Sequence, residues 1–128
     1  EFFVARKDAP AAIAALEKIA PQINEILWVT EIRAIAADQL WMSPHYQRDS
    51  IGIHFTWKKV DAVYEMVKVV EATLAPFGYR PHLGKVFSAS PEYFASVMPK
   101  IEDFKKLVVE IDPTNKFGNE FTNRLIGR

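Results

Sequence analysis

Glu31, Arg33, His54 and Thr56 are the residues whose types and spacing could do chemistry. A guanidinium holds an oxygen anion and a carboxylate orients that guanidinium. An imidazole moves a proton near neutral pH, and a hydroxyl donates or accepts hydrogen bonds. Each pair is separated by two positions, which in an extended chain points both members to one face. Taken singly they are ordinary, because an exposed Glu-Arg pair contributes little and a lone histidine is more often structural than catalytic. Grouped on neighbouring strands, the four make a candidate acid-base and anion-holding constellation. His82-Leu83-Gly84-Lys85 adds a point charge next to a glycine, where the backbone can approach a ligand closely. His45 is assigned no role. The three histidines lack helical ligand spacing and have no companion cysteines, which argues against a zinc site. No Gly-rich phosphate loop or dinucleotide fingerprint is present.

The elements that must position these residues follow from pattern. Phe2 to Arg6 reads as a short strand, and Asp8 before Ala9-Pro10 marks a helix start. Ile13, Leu16, Ile19, Ala20 and Ile23 give that helix its apolar face, with Pro21 ending or kinking it. Ile26 to Ala36 and Ser50 to Trp57 read as strands, the second alternating Ile51, Ile53, Phe55 and Trp57 against Ser50, Gly52, His54 and Thr56. The link from Asp38 to Asp49 is too long for a tight hairpin. Val60, Val63, Tyr64, Val67, Val70 and Leu74 repeat at helical spacing, with Asp61, Glu65, Lys68 and Glu71 opposite. Pro76 and Gly78 stop this helix, Tyr79 to Pro81 enters a fourth strand, and a further helix runs from Ile101 to Ile111.

Strand, helix, strand, strand, helix, strand is the split βαβ, ferredoxin-like order, so the predicted fold class is α+β: an antiparallel sheet with helices on one face, plus C-terminal helices. The apolar face of the third strand must look into the helix-covered core. Alternation in the second strand then places Leu27, Val29, Glu31 and Arg33 on the open face beside His54 and Thr56, with Trp28, Thr30, Ile32 and Ala34 on the other.

Sixteen Lys and Arg against sixteen Asp and Glu give no basic field for nucleic acid, and no apolar run is long enough to cross a membrane. With 49% hydrophobic and 25% charged residues, the 128-residue chain reads as one globular domain or part of one. The absence of cysteine excludes disulfides and thiolate chemistry and fits a cytoplasmic location. An opening without methionine on Phe2-Phe3-Val4, a run that reads as interior strand, predicts a piece of a longer protein.

Three runs carry a resemblance: Glu31-Ile32-Arg33, Leu40-Trp41-Met42-Ser43-Pro44, and Arg48-Asp49-Ser50 on to His54-Phe55-Thr56-Trp57. It continues through Leu74-Ala75-Pro76-Phe77-Gly78, Arg80-Pro81-His82-Leu83-Gly84-Lys85 and Asp112-Pro113-Thr114-Asn115-Lys116-Phe117. Across nearly its whole length the chain resembles the alditol (xylitol) oxidases. These belong to the vanillyl-alcohol-oxidase-like FAD-linked flavoproteins, which also contain D-arabinono-1,4-lactone oxidase. The resemblance implies that residues 1–128 are the C-terminal substrate-binding (cap) domain, that FAD is held mainly by an absent N-terminal domain, and that the flavin-tethering histidine of the family has no counterpart here.

Carried over position by position, the resemblance makes Glu31, Arg33, Thr56 and Lys85 substrate contacts. It makes Thr56 and His82 flavin contacts, and Arg33, His54 and Lys85 catalytic. The implied reaction oxidises a terminal hydroxyl of a polyol to an aldehyde, with O2 reduced to hydrogen peroxide and His54 as candidate proton acceptor. An aldonolactone oxidase or dehydrogenase of the same family, or a freestanding ferredoxin-like module that binds a metabolite or a second copy of itself, are the alternatives. The isolated fragment is expected to fold but to be inactive.

Overall fold

The computed structural model describes residues 1–127. Strand β1 (Phe2–Ala5) is followed by helices α1 (Ala9–Glu17) and α2 (Ala20–Ile26), then strands β2 (Leu27–Ile35) and β3 (Ser50–Trp57). Helix α3 (Ala62–Leu74) leads to the short β4 (Arg80–Pro81), and α4 (Pro91–Val97), α5 (Ile101–Ile111) and α6 (Glu120–Ile126) complete the chain. The sheet order is β2-β3-β1-β4 and its pairings are antiparallel, so each βαβ crossover skips one strand, as the split βαβ pattern requires. The α+β class is therefore the observed one.

The core lies between the sheet and α1 to α3. Phe2 and Val4 of β1 and Ile53 and Phe55 of β3 point into it and meet Ala12, Leu16, Ile23, Val67, Val70 and Leu74. Their removal from water is the main favourable term, about 2 kcal/mol for a fully buried residue such as Leu74. A second cluster, Phe94, Met98, Ile101 and Leu125, joins α4 to α6.

Four expectations are corrected. The first helix is two: the chain breaks at Lys18 and Ile19, and Pro21 sits in the first turn of α2 rather than ending a helix, because a missing N–H costs nothing there. In α3 the buried stripe is Val63, Val67, Val70, Glu71 and Leu74, while Val60 and Tyr64 are exposed. The stripe is rotated because Glu71 turns inward and accepts hydrogen bonds from Ser88 N and Oγ and from Ala89 N. Leu27 belongs to the core face, not the open one, because the register with β3 shifts between Leu27 and Val29 and one residue of bulge reverses every side chain before it. Finally, β2 is a sheet edge, so Trp28 and Ile32 on its inner alternation remain largely exposed.

The β2–β3 link is ordered by hydrogen bonds of its own carboxylates and of two arginines. Asp38 accepts from Ser43 Oγ at 2.5 Å, and Asp49 from Ala37 N at 2.8 Å. Arg80 donates to the carbonyls of Pro44, Tyr46 and Val97, and Arg48 to those of Phe3 and Gly78. Burial pushes the Arg48 guanidinium down to about 10. Gly78 closes the turn after α3 with φ 57°, a left-handed conformation in which glycine has no Cβ to clash. Among the described residues, no helix is long and apolar enough to cross a membrane.

Candidate active site

The open face of the sheet carries one polar row across four strands. Glu31 on β2 stands opposite His54 on β3. One step beyond the pairing of Phe2 with Ile53, His54 faces Glu1 at the head of β1. The Glu1 carbonyl in turn accepts from His82 N at 3.0 Å, just past β4. The next row is Arg33, Gly52, Phe3 and Arg80. Period-two alternation, fixed by the hydrophobic demand of the opposite face, aligns all of these residues on one surface.

The side chains interlock. Arg33 donates Nη2 to Glu31 Oε2 and Nη1 to Glu1 Oε1, the latter at 3.2 Å. His54 Nδ1 lies 3.3 Å from Glu1 Oε2, and its Nε2 lies 3.1 Å from Thr56 Oγ1. Glu1 is 4% exposed, His54 13% and Arg33 49%, so the row runs from a buried carboxylate at its centre to solvent at its ends. The hydrogen bond from Arg33 holds the Glu31 carboxyl below the usual carboxylate range, and the same bond raises the guanidinium. Gly52 stands opposite Arg33 with no side chain; a Cβ there would meet the Phe3 ring at 3.0 Å and Ile35 Cδ1 at 3.2 Å.

The structure thus joins Glu31, Arg33, His54 and Thr56. His82 stands at the β4 end of the row, with its ring Nδ1 accepting from Gly84 N at 2.9 Å. Gly84 is accordingly the residue on which the His82 ring folds back: a Cβ there would meet that ring at 3.2 Å. Lys85 N closes the turn on the His82 carbonyl, and its ammonium projects to solvent with no hydrogen bond or ion pair among the described residues. Sequence reasoning missed Glu1, which alone among the described residues hydrogen-bonds both Arg33 and His54. Its signal was present, since alternation back from Val4 puts Glu1 on the open face and the split βαβ order seats β1 beside β3.

Away from this row, an apolar groove of about 360 Å3 runs between α5 and α6, lined by residues that include Met42, Phe104, Val108, Phe121 and Leu125. Its one carboxylate, Asp112, is occupied by the main-chain N–H groups of Lys116 and Phe117. It offers hydrophobic surface and no acid-base pair.

Comparison with known proteins gives a consistent assignment. The family model described as D-arabinono-1,4-lactone oxidase matches residues 1–125. The chain is 36% identical to alditol oxidase from Streptomyces sp. over 127 residues, covering 98% of this chain and 31% of that protein. It is 26% identical to L-gulonolactone oxidase from Mus musculus over 99 residues, covering 74% of this chain and 22% of that protein. The chain therefore spans less than a third of the length of these curated relatives.

Proposed function

The chain belongs to the D-arabinono-1,4-lactone oxidase family, and on that premise we propose that it is the substrate side of an FAD-linked oxidase acting on a terminal hydroxyl of a polyol. The observation that carries the reading is the interlocked row of Glu31, Arg33, Glu1, His54 and Thr56 on the sheet face opposite α1 to α3. We assign residues 1–128 to a C-terminal substrate-binding domain, with FAD held mainly by a separate domain. The chemistry of the donor set fits half of such a site. It provides hydrogen-bonding and charged groups for a hydroxylated substrate, plus Thr56 and His82 at the edges for contact with the polar rim of a flavin, and no cradle for a dinucleotide phosphate.

When bound, the flavin would accept the hydride from the substrate carbon. What this chain supplies is binding, orientation and management of the proton. Arg33, fixed by two carboxylates, presents its remaining N–H groups to the hydroxyl oxygen as that oxygen loses its proton. Lys85 adds a second cation, free to turn toward the same oxygen. Glu31 accepts hydrogen bonds from neighbouring hydroxyls, and Thr56 donates or accepts another. His54 takes up the proton at Nε2. The partners implied are the polyol, O2 as electron acceptor and the flavin domain.

The alternative of an aldonolactone substrate is favoured by the name of the family model and by the mouse relative. The higher identity and fuller coverage with alditol oxidase support the polyol reading over it. The test is to express the full-length protein and follow anaerobic bleaching of its flavin, then hydrogen peroxide release in air, with xylitol, sorbitol and L-gulono-1,4-lactone. Reduction by the polyols supports the proposal; reduction by the lactone alone transfers the site to the alternative, and no reduction by any of the three refutes both.

A further inference from the structure

We propose that Glu1 is the positioning residue of this site: one buried carboxylate holds the Arg33 guanidinium with one oxygen and fixes the tautomer of His54 with the other. The inference rests on the polyol-oxidising reading and deepens it. Glu1 is the junction of the row, since Oε1 takes Arg33 Nη1 at 3.2 Å and Oε2 lies 3.3 Å from His54 Nδ1. Neither partner is a sequence neighbour, at separations of 32 and 53 residues. Only the pairing of β1 beside β3 brings the three together.

The geometry dictates the proton arrangement. A carboxylate accepts, so His54 carries its hydrogen on Nδ1 and donates it to Glu1. Nε2 then holds a lone pair on the Thr56 side, 3.1 Å from the Thr56 hydroxyl, whose hydrogen turns away when a substrate hydroxyl donates there. That nitrogen can receive the proton of the substrate hydroxyl, and the imidazolium so formed rests against the negative charge of Glu1. With a flavin bound to take the hydride, the substrate would lose one proton to Nε2 and be left with a carbonyl. An isolated imidazole prefers the opposite tautomer, with hydrogen on Nε2 and no base facing the substrate. The same carboxylate fixes Arg33, which must cross β3 from β2 to reach it. Other charged and titratable groups near this arrangement are Glu31 from β2, His45 from the β2–β3 link and, from the turn after β4, His82 and Lys85.

The decisive measurement is the 15N spectrum of the histidine rings in this 128-residue chain, which has its own core and three histidines to assign. At alkaline pH, His54 should show a protonated Nδ1 and a bare Nε2. In Glu1→Gln the Nε2–H form should become the major one, and Glu1→Asp should restore part of the original ratio. A dominant Nε2–H tautomer in the unaltered chain overturns the proposal outright, even if the variant does not fold. So does an unchanged ratio in a Glu1→Gln chain whose amide spectrum shows it folded. In the full-length protein, Glu1→Gln should slow flavin reduction at saturating polyol at least tenfold while altering KM by less than threefold. An unaltered reduction rate would remove Glu1 from the site. Absence of polyol oxidation in the unaltered full-length protein would count against the proposed function instead, leaving the tautomer measurement to judge Glu1.

Discussion

Replacing Glu71 by alanine tests whether a buried carboxylate, and not apolar contact, fixes the segment that follows Lys85. Glu71 is 5% exposed on the inner face of α3. Its Oε1 accepts from Ser88 N at 2.9 Å and Ala89 N at 3.2 Å, and Oε2 from Ser88 Oγ. Ala89 is buried and Ser88 is exposed, so in Glu71→Ala water can replace the partner of Ser88 but not that of Ala89. One orphaned buried N–H costs about 1–3 kcal/mol, and loss of charge-assisted bonding to the serine adds roughly 1 kcal/mol. The expected loss is about 2–4 kcal/mol. At roughly 4 °C per kcal/mol for a domain of this size, this lowers Tm by about 8–16 °C. Glu71→Gln keeps one acceptor oxygen, and the Ser88 hydroxyl can rotate to accept from the new amide, so it should lose less than half as much. Thermal unfolding followed by circular dichroism, with urea titration for the free energies, measures both. Glu71→Ala within about 0.5 kcal/mol of the unaltered chain, the range of an ordinary surface change, would refute the argument that the carboxylate organises this segment.

Four further outcomes are expected. On the proposed reading, in which its charge acts on an oxygen that becomes anionic only in the transition state, Lys85→Met should slow flavin reduction in the full-length protein more than it raises KM; anaerobic stopped-flow separates the two. Thr56→Ala should raise the KM for xylitol roughly fivefold, one hydrogen bond's worth of about 1 kcal/mol, with flavin content unchanged by absorbance. Because Arg33 lowers the pKa of Glu31 in the folded chain, the stability of that pair is present above about 4.5 and is lost as pH falls through the folded value. The difference in urea midpoint between the unaltered chain and Arg33→Met should therefore be larger near neutrality than near pH 3. Asp112→Ala, which frees the N–H groups of Lys116 and Phe117, should destabilise by about 2 kcal/mol and speed protease cleavage between α5 and α6.

How much of this was legible in the sequence depends on which physical constraint acts at each residue. Ile51, Ile53, Phe55 and Trp57 announce a strand with one buried face, and that alone sends His54 and Thr56 to the other side. Glu31 and Arg33 follow once β2 is paired with β3, and the observed register sets Glu31 directly opposite His54. Alternation fails where a bulge intervenes, because one residue's slip between Leu27 and Val29 is set by hydrogen bonding with β3 and leaves no mark in composition. In α3, Tyr64 and Glu71 were exchanged because helical spacing fixes the period and not the phase when a carboxylate has buried donors to satisfy. The small C-terminal helices were legible in principle: Ser90 caps α4 through Tyr93 N, and Asn119 with Thr122 forms a reciprocal capping box on α6. Arg48 and Arg80 were out of reach, because what they hold are carbonyls of segments 30 or more and 17 or more residues away.

The site is best understood as a consequence of the sheet order. A ferredoxin-like sheet covers one face with its own helices and leaves the other to whatever can satisfy it, and here that face is lined by ionic and hydrogen-bonding groups. An exposed ion pair such as Glu31 with Arg33 is weak and mobile on its own, since solvent screens it and side-chain entropy opposes it. Glu1 changes that balance, because a buried carboxylate on the central strand ties one arm of the same guanidinium and the imidazole next to it. Three strands then hold three groups through one shared acceptor, and the entropy of orienting them is lost during folding, before any substrate arrives. A chain that kept Glu31, Arg33, His54 and Thr56 but lost Glu1 would retain the residues of the site without their arrangement. For this reason the geometry of the others depends on a side chain that alternation, read back from Val4, already puts on their face.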